Sequence, residues 1–186
     1  MAEGLCWGQR IVAHRFRRRH DNRPMHKQWK PSVTVAAIIE RDGRYLLVEE
    51  ETRLGLKLNN PAGHLDPGET PAQGCAREAL EESAHEFTPT HVIGMYLARS
   101  RKNSTGEDQT YLRMAFAGEL GRETGQPLDT GIVRTLWMTL DEVRATAARH
   151  RSPLVLQCIE DHAAGVRYPL SVIYSDESVT LTPAAR

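Results

Sequence analysis

The sequence has few cysteines, few aromatic residues and no net charge. Its 186 residues include three cysteines, Cys6, Cys75 and Cys158, without a Cys-x-x-Cys pair, which argues against a disulfide framework and a zinc site. No apolar run approaches the roughly 18 residues that span a bilayer. Lys plus Arg and Asp plus Glu number 24 each, so general attraction to nucleic acid or membranes is not expected. We therefore predict a soluble domain of a reducing compartment, and assign it to the cytoplasm.

The balance of charge is uneven at the N-terminus. Residues 1–24 hold six arginines against Glu3 and Asp21, and they lack the apolar centre of a secretory signal. This stretch fits a disordered arm, an organellar targeting segment, or sequence that precedes a true start at Met25. We favour the last of these, because a regular pattern begins directly after Met25. A nucleic-acid-binding arm is the least favoured interpretation, since a single arginine cluster is a weak signal.

Strand and helix patterns alternate over 30–174, which we assign as one domain after an arm of 1–29 and before a polar tail of 175–186. Ser32–Ile39 and Arg44–Glu49 are predicted to pair as a hairpin across Asp42-Gly43. Pro71–Ala84 is predicted to be a helix with Thr70 as its N-cap. Further predicted elements are strands Thr90–Arg99, Thr110–Leu120, Thr135–Thr139 and Tyr168–Tyr174, and helices Leu140–His150 and Pro153–Ala164. This order predicts an α/β fold in which helices cover a mixed sheet.

The predicted helix Pro71–Ala84 carries an acidic cluster. Glu78, Glu81 and Glu82 are spaced i, i+3 and i+4, so their carboxylates share one helical face and repel one another. A divalent cation that prefers oxygen ligands, such as Mg²⁺, would offset that repulsion and is commonly bound together with substrate phosphates. Arg77 can orient a carboxylate through its forked donors, and Gly63 lets a backbone carbonyl approach the metal.

A solvated acidic helix face is the alternative interpretation, but it requires no residues at fixed distances. The segment fits Gly-x5-Glu-x7-Arg-Glu-x2-Glu-Glu from Gly63 to Glu82. At average residue usage six such positions match by chance on the order of once in twenty million starts. The pattern resembles the Nudix box of the Nudix (MutT-like) hydrolases. Two positions depart from that box, because its glycine is Ala84 and the next aliphatic position is His85, and we expect this to affect only how the helix ends.

Segments outside the box resemble the phosphatase NudJ subgroup of that superfamily. The segments are Lys30–Ala36, Leu47–Glu50, Asn60–Leu65, Arg151–Val155 and Arg167–Leu170. The resemblance implies a Nudix-type α/β/α sandwich and Mg²⁺-dependent hydrolysis of diphosphate linkages, with Mn²⁺ as a substitute. It also implies nucleoside tri- and diphosphates as substrates, and hydroxymethylpyrimidine diphosphate of the thiamine pathway. An ADP-ribose or dinucleoside polyphosphate hydrolase shares the box, and a non-hydrolytic isomerase or regulator shares the fold.

Site roles follow from the box. We assign Glu78, Glu81 and Glu82 as catalytic metal ligands, of which Glu78 and Glu82 are the principal ones. The carbonyl of Gly63 is a further ligand by family analogy, and Glu69 and Arg77 are assigned to orient the ligands. Candidate substrate-binding residues are His64, Arg53, Lys57 and Arg99. No general base outside the box is identified, although Glu107 and Asp108 lie in a loop that could supply one. The partner is a small phosphorylated molecule rather than a membrane, and the oligomeric state is left open.

Overall fold

Nine strands and three α-helices make up residues 29–101 and 108–181, the part of the chain that the computed structural model describes. The strands are β1 Ser32–Ile38, β2 Glu40–Arg41, β3 Arg44–Thr52, β4 Gly55–Asn59, β5 Ala62–His64, β6 His85–Arg101, β7 Asp108–Glu123, β8 Ile132–Thr139 and β9 Tyr168–Pro169. The helices are α1 Pro71–Ser83, α2 Leu140–Ala145 and α3 Leu154–Ala163. Short 3₁₀ turns cover Ala147–Arg149, Leu170–Val172 and Glu177–Val179.

The strands form two sheets. The first has the order β5-β1-β7-β6-β9, in which β1 runs parallel to β7 and the other neighbours are antiparallel. In the second, β3 lies between β4 and β8 and also pairs with β2. The mixed sheet predicted from the sequence is therefore confirmed. A strand with neighbours on both edges and cover on both faces is apolar almost throughout, as the run of buried residues in β1 shows.

Helices α1 and α3 lie on opposite faces of β1. Successive strand residues point to opposite faces, so Val35 and Ala37 pack in the core cluster that contains Cys75 of α1. Ala36 and Ile38 pack instead with Cys158 of α3. This layering is the α/β/α arrangement that the resemblance implies. No helix in the described ranges is long and apolar enough to cross a membrane.

The predicted hairpin between Ser32–Ile39 and Arg44–Glu49 is only partly right. Asp42 and Gly43 do form the turn, both at positive φ, but the turn joins β3 to the two-residue strand β2. Strand β1 pairs with β5 and β7 in the other sheet. The turn depends on local backbone conformation, which the sequence encodes, whereas the partner of β1 depends on residues up to about 80 positions away.

Two other elements are shorter than predicted. The predicted last strand Tyr168–Tyr174 pairs with β6 only at Tyr168–Pro169, since proline has no N–H to donate and a 3₁₀ turn follows it. The predicted helix Leu140–His150 ends at Ala145. The hydroxyl of Thr146 donates to the carbonyls of Glu142 and Val143 there, which satisfies the last turn of the helix.

Helix α1 has the predicted start and an unusual end. The hydroxyl of Thr70 accepts from the Gln73 N–H, and the Gln73 side chain accepts from the Thr70 N–H, which completes a capping box in front of Pro71. At the other end Ala84 is 4% exposed and takes the left-handed conformation, with φ 57° and ψ 20°. Because an L-residue with a Cβ adopts that conformation at a cost, Ala84 is a strained helix end.

Replacing Ala84 with glycine should therefore stabilise the protein. Glycine relieves the strain of the left-handed conformation, which stabilises the folded state. The loss of one buried methyl and the greater conformational freedom of the unfolded chain oppose this effect. We expect the free energy of unfolding to rise by about 0.5–1 kcal/mol in total. In a chain of this length that gain corresponds to a rise of about 2 °C in Tm. Ala76→Gly, inside the same helix, is the control and should lower Tm. A fall in Tm for Ala84→Gly, or a large gain in turnover, would contradict the assignment of Ala84 as a purely local strain.

Candidate active site

Strand β5 and helix α1 hold the acidic cluster against the first sheet. The carboxylate of Glu78 lies directly over Gly63, where a Cβ placed on that glycine would meet Glu78 Oε1 at 2.2 Å. Only a residue without a side chain leaves room for this approach. Gly63 is therefore required by the position of the Glu78 carboxylate.

Arg77 forms hydrogen bonds with most of the acidic residues of the box. Its Nε and Nη2 donate to the two oxygens of Glu69 at 2.9 and 2.8 Å. Its Nη1 donates to Glu78 Oε1 at 2.7 Å and to Glu81 Oε2 at 2.9 Å, and Nη2 also donates to the carbonyl of His64 at 2.9 Å. These contacts raise the pKa of Arg77 and fix the face of α1 relative to β5.

Glu82 is held by the backbone rather than by Arg77. Its Oε2 accepts from the N–H of Ala62 at 2.8 Å. Burial raises the pKa of Glu82 to about 8; the bond from Ala62 opposes that rise, and the charges of Glu78 and Glu50 add to it. Burial also raises the pKa of Glu78, against the influence of Arg77. Nearby positive groups therefore do not fully neutralise the negative charge of the Glu78 and Glu82 carboxylates.

The stability of the metal-free protein should fall as the pH rises. The Glu82 carboxyl, ordinarily near 4.5, has its pKa raised to about 8 in the folded chain, so the folded state holds this proton more tightly than the unfolded state. The resulting stabilisation is complete below the unfolded pKa and is lost as the pH rises through the folded pKa, a change on the order of a few kcal/mol. Urea unfolding in chelator between about pH 5 and pH 9 measures it.

The control for that experiment is Glu82→Gln, which cannot titrate and should show a distinctly flatter pH profile. Glu50 and Glu78 also have raised pKa values, so some slope remains in the variant. Identical profiles for the parent and Glu82→Gln would show that Glu82 is not the group responsible.

The donor set fits a hard divalent cation. Every side-chain candidate offers carboxylate oxygen, the ligand type that Mg²⁺ prefers. Glu78 and Glu81 both bind the same Nη1 of Arg77, so their carboxylates converge on one point. Within residues 29–101 and 108–181 no three His, Cys, Asp or Glu side chains stand in a metal-holding group, and Arg77 donates hydrogen bonds to both Glu78 and Glu81. The residues fit the cation by chemistry and charge.

One residue near the cluster, Glu50 on β3, was not assigned a role from the sequence. Its Oε1 is buried and has no hydrogen-bond partner among the described residues. Arg151 Nε lies 3.4 Å from that oxygen but is not aligned to donate to it. Burial raises the pKa of Glu50, and the charge of Arg151 opposes the rise.

A second overlooked residue is Arg113 on β7, which is buried although it carries a charge. It donates to the side-chain oxygens of Asn60 and Asn59, each at 3.2 Å, and so ties β7 to the segment that leads into β5. Burial lowers the pKa of Arg113. The sequence signal for both overlooked residues is a charged residue in the buried phase of a strand, as in Leu46-x-Val48-x-Glu50.

The four candidate substrate-binding residues are spread out. His64 is exposed beside Gly63, with its ring 6.4 Å from that of Tyr111. Arg53 is exposed in the turn between β3 and β4, and Lys57 Nζ donates to the Ala148 carbonyl at 3.2 Å. Arg99 pairs with Asp108, where β6 ends and β7 begins. Glu107, suggested with Asp108 as a base, lies outside the described residues. Of the four, His64 adjoins the acidic cluster.

The class of this protein is indicated by its architecture and its site. The acidic helix α1 packs against the short strand β5 within an α/β/α arrangement. Residues 28–158 match the NUDIX domain model, and the chain belongs to the Nudix family. It is a Nudix hydrolase, an enzyme that acts on pyrophosphate bonds.

Within that class the chain is similar to phosphatase NudJ of Escherichia coli K12, at 37% identity over 147 residues that cover 78% of this chain and 92% of the relative. A Nudix hydrolase structure from Nitrosomonas europaea is 52% identical with a TM-score of 0.72, over 79% of this chain and 98% of that one. The Nudix domain of Shewanella oneidensis NrtR, in complex with ADP ribose, is 17% identical with a TM-score of 0.60 over 77% and 94% of the two chains, and shows the fold alone. The family and subgroup resemblances noted in the sequence are confirmed.

Proposed function

We propose that this enzyme is a Mg²⁺-dependent phosphatase of the NudJ type. Its substrates are nucleoside tri- and diphosphates and hydroxymethylpyrimidine diphosphate, from which it releases phosphate. The observation that carries the proposal is the pair Glu78 and Glu82, two partly buried carboxylates held against Gly63 and Ala62 of one short strand. The similarity to phosphatase NudJ over 92% of that relative supports the choice of substrates.

Each box residue has a distinct task in this proposal. Glu78 and Glu82 hold the cation, with Mg²⁺ as the natural ion and Mn²⁺ as a substitute, while Glu81 and the Gly63 carbonyl supply further oxygens. Glu69 keeps Arg77 in place through two hydrogen bonds. Arg77 in turn holds α1 against the carbonyl of His64, so the carboxylates are positioned before substrate arrives. Held by Glu78 and Glu82, the cation would supply neutralisation of phosphate oxygens and activation of water near neutral pH.

Exposure beside the proposed metal ligands separates the four candidate phosphate contacts. The phosphates must reach a cation held by Glu78 and Glu82, and His64 is exposed on β5 next to Gly63. His64 is therefore the favoured phosphate contact among the four candidates. Arg99 is already paired with Asp108, and Lys57 with a backbone carbonyl, so they are weaker candidates for that contact.

The thiols support a reducing compartment as the setting of the enzyme. Cys75 and Cys158 are both buried and free, and burial raises the pKa of each thiol, which leaves them unreactive. We propose a cytoplasmic enzyme whose partner is a small phosphorylated molecule.

Phosphate and pyrophosphate release from a substrate panel tests the proposed substrates. The panel contains nucleoside tri- and diphosphates, hydroxymethylpyrimidine diphosphate, ADP-ribose and a dinucleoside polyphosphate. We expect orthophosphate from the first three with Mg²⁺. Turnover of ADP-ribose or the dinucleotide alone would keep the Nudix hydrolase and reject the NudJ-type specificity. A folded protein that is inactive on the whole panel would favour a non-hydrolytic isomerase or regulator.

A further inference from the structure

We propose that Glu50 is an additional ligand of the divalent cation, supplied by β3 from outside the box. The inference rests on the proposed function, since it concerns the same metal site. It adds a carboxylate from the second sheet to those of helix α1, so that the cation is held between two separate elements.

The strand places Glu50 on the helix side of the second sheet. Leu46 of β3 packs in the core cluster that contains Cys75 and Ala79 of α1, and Glu50 follows it by four residues. The register with β8 shifts between Glu49 and Glu50, but the pairing with β4 is continuous there, which keeps Glu50 in the strand phase of Leu46. The intervening neighbour Glu49 points the other way, where it is buried between Arg134 and Arg149. The two adjacent glutamates therefore have separate roles.

The backbone path brings this part of β3 close to Glu82. Val48 pairs with Asn59 at the end of β4, and the chain then passes through Asn60 and Pro61 to Ala62. The N–H of Ala62 binds the Glu82 carboxylate. The charge of Glu50 is accordingly near enough to contribute to the raised pKa of Glu82.

The buried oxygen of Glu50 points to a missing partner. A buried acceptor without a hydrogen bond costs about 1–3 kcal/mol, and a charged one costs more. Glu50 Oε1 is such an atom within the described residues, although the guanidinium of Arg151 lies 3.4 Å away. A cation shared with Glu78 and Glu82 would satisfy it. The alternative, in which Glu50 serves only as the ion-pair partner of Arg151, leaves this oxygen without a bond.

Binding of Mn²⁺ alone to the full-length protein tests the proposal without reference to turnover. Free Mn²⁺ is measured by electron paramagnetic resonance for the parent, Glu50→Gln, Glu50→Asp and Glu82→Gln. Both Glu50 variants should bind Mn²⁺ about tenfold more weakly than the parent. Glutamine removes the negative charge, whereas aspartate keeps the charge but has a shorter side chain, so its oxygens no longer reach the cation. Glu51→Gln is the matched control, because Glu51 is the exposed next residue of the strand, and it should bind as the parent does.

The outcomes separate this proposal from the function on which it rests. Parent-like binding by Glu50→Asp and Glu50→Gln, with weak binding by Glu82→Gln, would overturn the role of Glu50 and leave the proposed function intact. Absence of Mn²⁺ binding by the parent would overturn both. Arg151→Gln should bind Mn²⁺ at least as tightly as the parent. A tenfold loss in that variant would instead show that Glu50 acts through its ion pair.

Discussion

Glu82→Gln is expected to lower turnover by about two orders of magnitude or more while the protein remains folded. Glutamine keeps an oxygen that can accept from the Ala62 N–H, so the contact with β5 survives. The substitution removes the negative charge that the proposed cation requires. Burial of that charge is unfavourable without metal, as its raised pKa shows, so the metal-free variant should have an equal or higher Tm.

Steady-state phosphate release and thermal unfolding in chelator together measure this effect. Glu86→Gln is the control, because Glu86 is exposed and pairs only with Arg122 among its described contacts. Its turnover should match that of the parent. Near-normal turnover of Glu82→Gln would remove Glu82 from the metal site, and a sharply lower Tm would show that its role is structural.

Gly63→Ala is the second substitution with a large expected effect. The new methyl would lie 2.2–2.3 Å from the Glu78 carboxylate, which must then leave its place over the strand. Because the displaced atoms are the end of a flexible side chain, we expect a small change in Tm. Turnover should fall about a hundredfold, since a ligand of the proposed cation is misplaced.

A double-mutant cycle isolates the cause of the Gly63→Ala effect. In a Glu78→Ala background there is no carboxylate over Gly63, so adding Gly63→Ala should cost almost no further activity. Additive losses would show that Gly63 acts independently of Glu78. A large fall in Tm for Gly63→Ala alone would contradict the view that only the carboxylate moves.

The sequence predicts the acidic helix well because its signals are local. Thr70 and Pro71 mark the start of α1, and the spacing of Glu78, Glu81 and Glu82 places them on one face whatever surrounds the helix. The strain at Ala84 is also local: a glycine was expected there, and the chain adopts the left-handed conformation regardless.

The sequence does not predict which strands pair, because strand pairing depends on residues far apart in the chain. The pattern of β1 is compatible with any antiparallel or parallel neighbour, so it does not distinguish β3 from β7 as a partner. Tyr168–Tyr174 has strand-like residues, but only Tyr168–Pro169 reaches the edge of β6. Element type follows from residue patterns, whereas sheet order depends on how the layers pack.

The same distinction applies to the site. Box residues lie within 20 positions of one another, and the contacts of Arg77 join them as their spacing suggests. Glu50 and Arg113 lie outside the box, on β3 and β7, so their position near it depends on the assembled fold. A charged residue in the buried phase of an apolar strand was the available signal.

Metal dependence of orthophosphate release from a nucleoside diphosphate tests the central claim most directly. The parent protein is assayed with Mg²⁺, with chelator, and with Mg²⁺ restored after chelator. We predict phosphate release with Mg²⁺, none in chelator, and full recovery when Mg²⁺ is restored. Equal release with and without divalent cation would contradict the assignment of the Glu78 and Glu82 carboxylates as a catalytic metal site.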